Sequence, residues 1–180
     1  MHFNLFALSA LVLSAVLVCQ AEAAKSTVHI NNKDDYCLIL PAKRQTVGAS
    51  EDGTSNGAKA FCTRPTGNQG SIPASFFKSA HIKTTSSYKQ ITGCIDPSKA
   101  KTVIPSDGGG QYDSNGGDGG HGNPPGSACA GYKSYVQLLE PAANRACLRC
   151  CNNARDCDLS HDTSGCPTVI PNGNYNGCSN

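Results

Sequence analysis

The chain has 180 residues, a formal net charge of +2, 19 glycines, 10 prolines and 11 cysteines, and it has no tryptophan. Charged residues make up 16% of the chain, against roughly 25% in an average soluble domain. This composition excludes a coiled coil or helical bundle, a disordered charged tail and a nucleic-acid binder with a concentrated basic face. It is typical of one compact, loop-rich domain.

The first segment of the chain is an apolar run, Leu5–Val18, of 14 residues. A helix that spans a bilayer needs about 20, whereas this length fits the apolar part of a secretory signal. Ala21–Ala23 supplies the pattern of small residues that precedes cleavage. We therefore predict a secretory signal at residues 1–23 and a single disulfide-rich domain at residues 24–180. The domain is expected to be secreted and extracellular, without a membrane or nucleic-acid partner.

The rest of the chain contains short segments rich in β-branched and aromatic residues, each bounded by Gly, Pro, Asn or Asp. This pattern predicts strands at Ser26–Ile30, Tyr36–Leu40, Ser79–Lys83, Tyr88–Ile91, Lys101–Ile104, Tyr132–Leu139, Ala146–Cys150 and Thr168–Ile170. Pro141–Arg145 predicts one helical turn that begins at proline. The predicted fold is mainly β: a small, disulfide-stabilised sandwich or barrel-like domain with long loops and little helix.

Residues 107–126 hold nine of the 19 glycines, together with aspartate and asparagine. We predict a long surface loop, because such loops in compact domains are commonly functional. The expected contact residues of this loop are Gln111, Tyr112, Asp113, Asn115, Asp118 and His121. An alternative is an iron or calcium site at Asp113, Asp118 and His121. An EF-hand is excluded, because its twelfth position, counted from Asp113, is Pro124.

Ten cysteines remain once the signal is removed, and seven of them crowd into residues 129–178. They are Cys37, Cys62, Cys94, Cys129, Cys147, Cys150, Cys151, Cys157, Cys166 and Cys178. An even number in a secreted chain predicts a framework of disulfides, here five, whose connectivity stays open. Because neighbouring side chains of a strand point to opposite faces, we expect Cys150 and Cys151 to bond to different partners and to join two layers.

Catalytic motifs are poorly supported by the sequence. The CxxC motif Cys147–Cys150 fits disulfide bridging better than zinc, since an oxidising compartment removes the thiolates that zinc needs. The chain lacks a Gly-x-Ser-x-Gly elbow and offers no free cysteine for a Cys–His pair. Beyond the signal its two glutamates, Glu51 and Glu140, lie in no recognisable motif. These features favour a protein without enzymatic activity and without a cofactor.

Several segments share one resemblance: VIPSDGGGQYDS at 103–114, the following GDGGHGNPPGSAC, the tail RACLRCCNNARDC with GCPTVIP, and the early YCLILP. They resemble a family of small secreted cysteine-rich proteins of fungi, chiefly basidiomycetes. The resemblance implies an effector-like protein. Together with the predicted signal, the even number of cysteines and the lack of catalytic motifs, it leads us to expect a monomer that binds a host extracellular protein or a cell-wall glycan. A further resemblance, to extracellular iron-reducing glycopeptides of wood-decay fungi, implies iron binding and reduction as the alternative. An inhibitor of a secreted hydrolase would use the same rigid scaffold.

Overall fold

The computed structural model describes residues 26–116, 120–161 and 163–178, and the predicted signal lies outside them. The strands are β1 (Thr27–Val28), β2 (Ile30–Asn32), β3 (Asp35–Pro41), β4 (Ala58–Cys62), β5 (Gly70–Ser71), β6 (Phe77–Thr84), β7 (Tyr88–Ile95), β8 (Gly110–Asp113), β9 (Ala128–Cys129), β10 (Ser134–Glu140) and β11 (Arg145–Cys151). The helices are α1 (Val47–Ser50) and α2 (Cys166–Val169), with 3₁₀ turns at Ala74–Phe76, Pro97–Lys99, Pro141–Ala143 and Ala154–Asp156.

The largest sheet has five antiparallel strands in the order β6-β7-β11-β10-β8. A second sheet has the order β2-β3-β4-β5, and β1 pairs with β9 in a separate two-stranded ribbon. One continuous core joins the five-stranded and four-stranded sheets. The described part of the chain is therefore a mainly β sandwich without a closed barrel, which confirms the predicted fold class.

Side chains of β11 alternate between the two faces of the five-stranded sheet, as the geometry of a strand requires. Ala146, Leu148 and Cys150 pack in the core between the sheets, on what we call the inner face. Cys147 and Cys151 lie on the outer face, in a second core beneath the segment that follows β11, residues 152–161 and 163–178, which we call the C-terminal or covering segment. Both faces of this strand are therefore buried, which explains why five of its seven residues are apolar.

A glutamine crosses the gap between the two sheets. The buried side chain of Gln137, on β10, accepts a hydrogen bond from the Ile39 backbone N–H at 2.7 Å and donates one to the Ile39 carbonyl at 2.6 Å. Its amide thus replaces the neighbouring strand that β3 lacks at this position. Because both of its polar ends are satisfied, the group can be buried without the cost of an unpaired amide.

Five disulfides pair the ten cysteines, and the predicted framework is confirmed. The pairs are Cys37–Cys62, Cys94–Cys178, Cys129–Cys150, Cys147–Cys166 and Cys151–Cys157. Cys150 and Cys151 bond to different partners on opposite faces, as expected from their adjacency. Three of the bonds, those of Cys94, Cys147 and Cys151, tie the C-terminal segment to the five-stranded sheet.

Other predicted elements differ from the structure. Lys101–Ile104 and Thr168–Ile170 are wrong as strands: the first is a turn, and most of the second lies in α2. Pro167, at the start of α2, favours a helical turn there. The alanine-rich strand β4 was not predicted. The turn predicted at Pro141 is confirmed as a 3₁₀ turn that begins at that proline.

The glycine-rich segment 107–126 is not one continuous loop. Its residues 110–113 form β8, an edge strand that pairs with β10, and Gln111, Tyr112 and Asp113 are all buried. The prediction of a loop fails here because the apolar and β-branched partners that stabilise the strand belong to β10. A glycine-rich strand can form where its neighbour supplies the ladder and the packing.

Candidate ligand-binding cleft

An open cleft of about 890 Å³ lies where α1 ends beside β8. Glycines form much of its wall: Gly48, Gly53, Gly109, Gly110, Gly116 and Gly122. Polar side chains supply the rest, namely Glu51, Asp52, Gln111, Asp113, Asn123 and Thr163, with Pro125 and Leu159 as the apolar members. We call this the acidic cleft, since its described lining has three carboxylates and contains no Lys, Arg or His.

Two hydrogen bonds fix α1 against the strand that carries the cleft. Asp107 Oδ2 accepts from the Val47 backbone N–H at 2.7 Å, at the first turn of α1. At its other end, the hydroxyls of Ser50 and Tyr112 lie 2.6 Å apart in the core. Tyr112 is fully buried and its pKa is raised by that burial, so its role is structural. These contacts place Glu51, the residue after α1, over the start of β8.

Glu51 is the most unusual group in the cleft. Its Oε1 atom is buried and has no hydrogen-bond partner among the described residues. Burial raises the pKa of this carboxyl, hydrogen bonds to the carboxyl from Asn123 and from the Gln111 backbone oppose the rise, and the charges of Asp113 and Asp107 add to it. A buried acceptor without a donor costs free energy, so this oxygen is suited to a ligand that donates.

Gln111 shows the same feature from β8. The residue is only 6% exposed, it lines the cleft, and its Oε1 atom lacks a hydrogen-bond partner within the described parts of the chain. Alternation along β8 puts its side chain on the same side as that of Asp113 and opposite to Tyr112. Two unpartnered acceptor oxygens, one on the residue after α1 and one on β8, are therefore buried in the wall of the cleft.

Asp113 shapes the wall of the cleft. Its Oδ1 atom accepts from the backbone N–H groups of Asn115, at 2.9 Å, and of Gly116. Its own backbone forms an antiparallel bridge with Asn123. The carboxylate thus holds the turn that leaves β8. Asp113 is also part of the lining of the cleft.

Two glycines lie very close to the carboxylates of this site. A Cβ atom at position 110 would lie 2.5 Å from Glu51 Oε1, and one at position 116 would lie 2.5 Å from Asp113 Oδ2. Real Cβ atoms do not approach oxygen so closely, so any larger residue would displace one of the two carboxylates. Glycine at these positions lets the backbone meet the acidic groups directly.

The structure separates the six predicted contact residues. Gln111 and Asp113 line the acidic cleft, whereas Tyr112 is buried in the core, which overturns its role as a contact residue. Asn115 lines a neighbouring cavity of about 460 Å³ that shares Leu159 with the cleft. His121 is exposed, and Asp118 lies outside the described residues. The iron or calcium set of Asp113, Asp118 and His121 stays a prediction.

Sequence reasoning missed Glu51. Beyond the predicted secretory signal the chain has two glutamates, and both are partly buried. The rarity of glutamate in the chain was the feature that could have pointed to Glu51. Within the described ranges, three or more His, Cys, Asp or Glu side chains never gather in a group that could hold a metal. In the same part of the chain, the helices are too short to cross a membrane.

Comparison with known proteins gives one informative relative. The chain is 32% identical over 159 residues to the appressorium protein ROW1 of Mycosarcoma maydis. The match covers 81% of this chain but 36% of that protein, so the chain spans about a third of the length of its relative. No family model matches the chain, and no solved structure matches it.

This similarity bears on the resemblance found in the sequence. A basidiomycete relative and five disulfides fit a fungal cysteine-rich protein of the cell surface or the extracellular space. The disulfides are consistent with an extracellular location, since such bonds persist in oxidising compartments. Membership of an effector family stays a prediction.

Proposed function

We propose that the protein is a secreted, non-enzymatic fungal protein that binds a cell-wall glycan in its acidic cleft. The observation on which this proposal rests is the pair of buried acceptor oxygens, Glu51 Oε1 and Gln111 Oε1, without hydrogen-bond partners in the described part of the chain. A ligand of these oxygens must donate hydrogen bonds, and a polysaccharide carries hydroxyl donors along the whole length of its chain. By its name, the relative ROW1 is a protein of the appressorium. We extend this setting at the fungal surface to the present chain and assign the chain an effector-like role.

The charge of the cleft narrows the class of glycan. Three carboxylates and no basic side chain line the described wall, and an ammonium group is the natural partner of such a surface. The formal net charge of the whole chain is +2, so a polycation would not be attracted by the protein in general. A glycan with free amino groups, such as a deacetylated hexosamine polymer, therefore fits the cleft best.

The dependence of binding on pH follows from Glu51. Because its pKa is raised by burial, its carboxyl becomes negatively charged at a higher pH than an ordinary glutamate. Binding of an ammonium group is expected to strengthen as the pH rises through the pKa of Glu51. Binding is expected to weaken again at a pH high enough for the amino groups of the glycan to lose their protons.

A sedimentation assay with insoluble chitosan, chitin and β-1,3-glucan tests the proposal. We expect the disulfide-bonded protein to sediment with chitosan, less with chitin and least with the glucan. Glu51→Gln removes a charged contact and should weaken chitosan binding on the order of tenfold. Asp34→Asn is the matched control, because Asp34 is an exposed carboxylate that pairs with Lys33 outside the cleft.

Two results would contradict the proposal. If none of the polysaccharides sediments the protein, the cleft does not hold a wall glycan. If Asp34→Asn weakens binding as much as Glu51→Gln, the attraction is a general effect of charge and the cleft is not the site. In either case a pull-down from host extracellular fluid would test the other predicted partner, a host protein.

A further inference from the structure

A histidine contacts one of the disulfides at the end of the four-stranded sheet. His29, between β1 and β2, has its Nδ1 atom 3.1 Å from the Sγ atom of Cys37, which is bonded to Cys62. The other ring nitrogen, Nε2, lies 3.0 Å from Asp35 Oδ1. Carboxylate, imidazole and sulfur thus follow one another at hydrogen-bond distance, in the order found in sites with an activated nucleophile.

The carboxylate is held in its charged form. Hydrogen bonds from Asn31 and then from His29 lower the pKa of Asp35, and Arg64 adds a weaker attraction with its Nη1 atom 3.9 Å from Oδ2. An ionised Asp35 can only accept, so His29 donates through Nε2–H. This fixes the tautomer and leaves the lone pair of Nδ1 directed at the sulfur of Cys37.

The other charged groups around the pair are few. Lys89 donates to the Asn31 carbonyl at 2.8 Å, and Lys33 pairs with Asp34 in the turn between β2 and β3. Asp35 is the carboxylate in direct contact with the ring, within the residues that the structure describes. After reduction of the disulfide, a protonated His29 would therefore lie between two negative groups, the Asp35 carboxylate and the Cys37 thiolate.

We propose that Cys37 is a masked thiolate nucleophile, activated by His29 and Asp35 and blocked by its disulfide with Cys62. A small external thiol attacks Cys62 Sγ, the Cys37–Cys62 bond breaks, and Cys37 leaves with the electron pair. The proton of the attacking thiol passes to His29 Nδ1. A second thiol molecule then releases Cys62 as a thiol and forms the oxidised external disulfide. Cys37 remains as a thiolate beside the imidazolium of His29.

The burial of the two cysteines explains why the site is masked. Cys37 and Cys62 are fully buried, whereas the side chains of His29 and Asp35 are 24% and 15% exposed. β2 is a three-residue edge strand whose register with β3 shifts between Ile30 and Asn32. Short edges open at a low cost in free energy, so fraying of β2 would give a small thiol access to the disulfide.

Alkylation after mild reduction tests this proposal. The oxidised protein is incubated with glutathione and trapped with iodoacetamide between pH 6 and pH 8.5, and each cysteine is quantified by peptide mass spectrometry. An ordinary thiol reacts roughly a hundredfold more slowly at pH 6 than at pH 8.5, because its pKa is about 8.5. We expect the rate for Cys37 to change less than about tenfold, while Cys62 and the other released thiols behave as ordinary ones.

Variants separate activation from simple exposure. His29→Ala should give Cys37 the ordinary pH profile, and the control His81→Ala, which alters an exposed histidine on β6, should not change it. Cys62→Ser frees Cys37 without any reductant and should show the same flat profile. The proposal is overturned if Cys37 and Cys62 share one profile, or if His29→Ala has no effect. It is also overturned if glutathione opens this disulfide only in protein that has lost its circular dichroism signal.

Discussion

On the inner face of the five-stranded sheet, apolar side chains such as Leu148 and Leu139 pack directly against the four-stranded sheet. On the outer face, the covering segment is short and poor in apolar residues, and three disulfides tie it down. The same sheet is thus stabilised by hydrophobic burial on one side and largely by covalent and polar links on the other. A small domain with few large apolar residues can in this way cover both faces of its central sheet.

Polar links on the outer face centre on Arg149. Its buried guanidinium donates to Gln90 Oε1, the Asp156 carbonyl and Asn172 Oδ1, and it stacks over Tyr88 with 4.4 Å between Cζ and the ring centroid. Burial lowers the pKa of this arginine, but its donors are paired with oxygens. The group therefore anchors the C-terminal segment instead of leaving an unpaired buried charge.

A second anchor is the carboxylate of Glu140. It forms two hydrogen bonds with Arg145, at 2.8 and 2.9 Å, and accepts from the Cys166 backbone N–H at the start of α2. Glu140 belongs to β10 and α2 to the covering segment, so one side chain joins the sheet to its cover. Glu140 in this link and Glu51 in the acidic cleft, the two glutamates of the described residues, thus have specific positions.

The largest expected effect is on the inner face. Leu148→Ala leaves a cavity in the fully buried core and should lower the free energy of unfolding by about 2–5 kcal/mol. Urea denaturation followed by circular dichroism measures this loss, which should appear as one cooperative transition. A change below about 0.5 kcal/mol would show that the inner face contributes little to stability.

A somewhat smaller effect is expected on the outer face. The double variant Cys147→Ala/Cys166→Ala opens a loop with a sequence separation of 19 and should cost about 3 kcal/mol. Because this bond holds only the covering segment, limited proteolysis should cut the chain near α2 while the sandwich remains folded. Loss of the whole fold at the same protease concentration would show that the two faces do not differ in this way.

The smallest expected effect concerns the acidic cleft without its ligand. The pKa of Glu51 is raised in the folded state, so its ionisation costs stability once the pH exceeds the ordinary value of 4.5. Glu51→Gln should therefore melt slightly above the unmodified protein at neutral pH, and the difference should vanish below pH 4.5. Asp52→Asn is the control: the Thr54 hydrogen bonds lower the pKa of Asp52, so this change should give no such gain. A lower Tm for Glu51→Gln at neutral pH would contradict the account of the buried carboxyl.

The sequence predicts strands that carry β-branched and large apolar residues better than strands built from glycine and alanine. β7, β10 and β11 contain β-branched and apolar residues that show their strand character locally, and the structure confirms strands there. β8 and β4 were missed, because glycine and alanine acquire strand structure only from their neighbours in the sheet. The ten cysteines gave the number of disulfides, but their pairing depends on which elements the fold brings together.

The cleft was predictable only in part for a similar reason. Gln111 and Asp113 stand out in a glycine-rich segment, whereas Glu51 follows a short helix some distance away in the chain. The hydrogen bond between Val47 and Asp107 spans 60 positions and brings the two segments together. The contact between His29 and Cys37, only eight positions apart, was missed because every cysteine was interpreted as structural.

The most direct test of the central claim is a titration with an oligomer of glucosamine, followed by nuclear magnetic resonance of the backbone amides. We predict chemical-shift changes that saturate with the oligomer and are concentrated at Gly110, Gln111 and Gly116, around the unpartnered oxygens of the cleft. The Glu51→Gln protein should need on the order of tenfold more oligomer for the same change. Shifts concentrated on β6 at the far edge of the sheet, or no shifts at all, would contradict the assignment of the acidic cleft as the binding site.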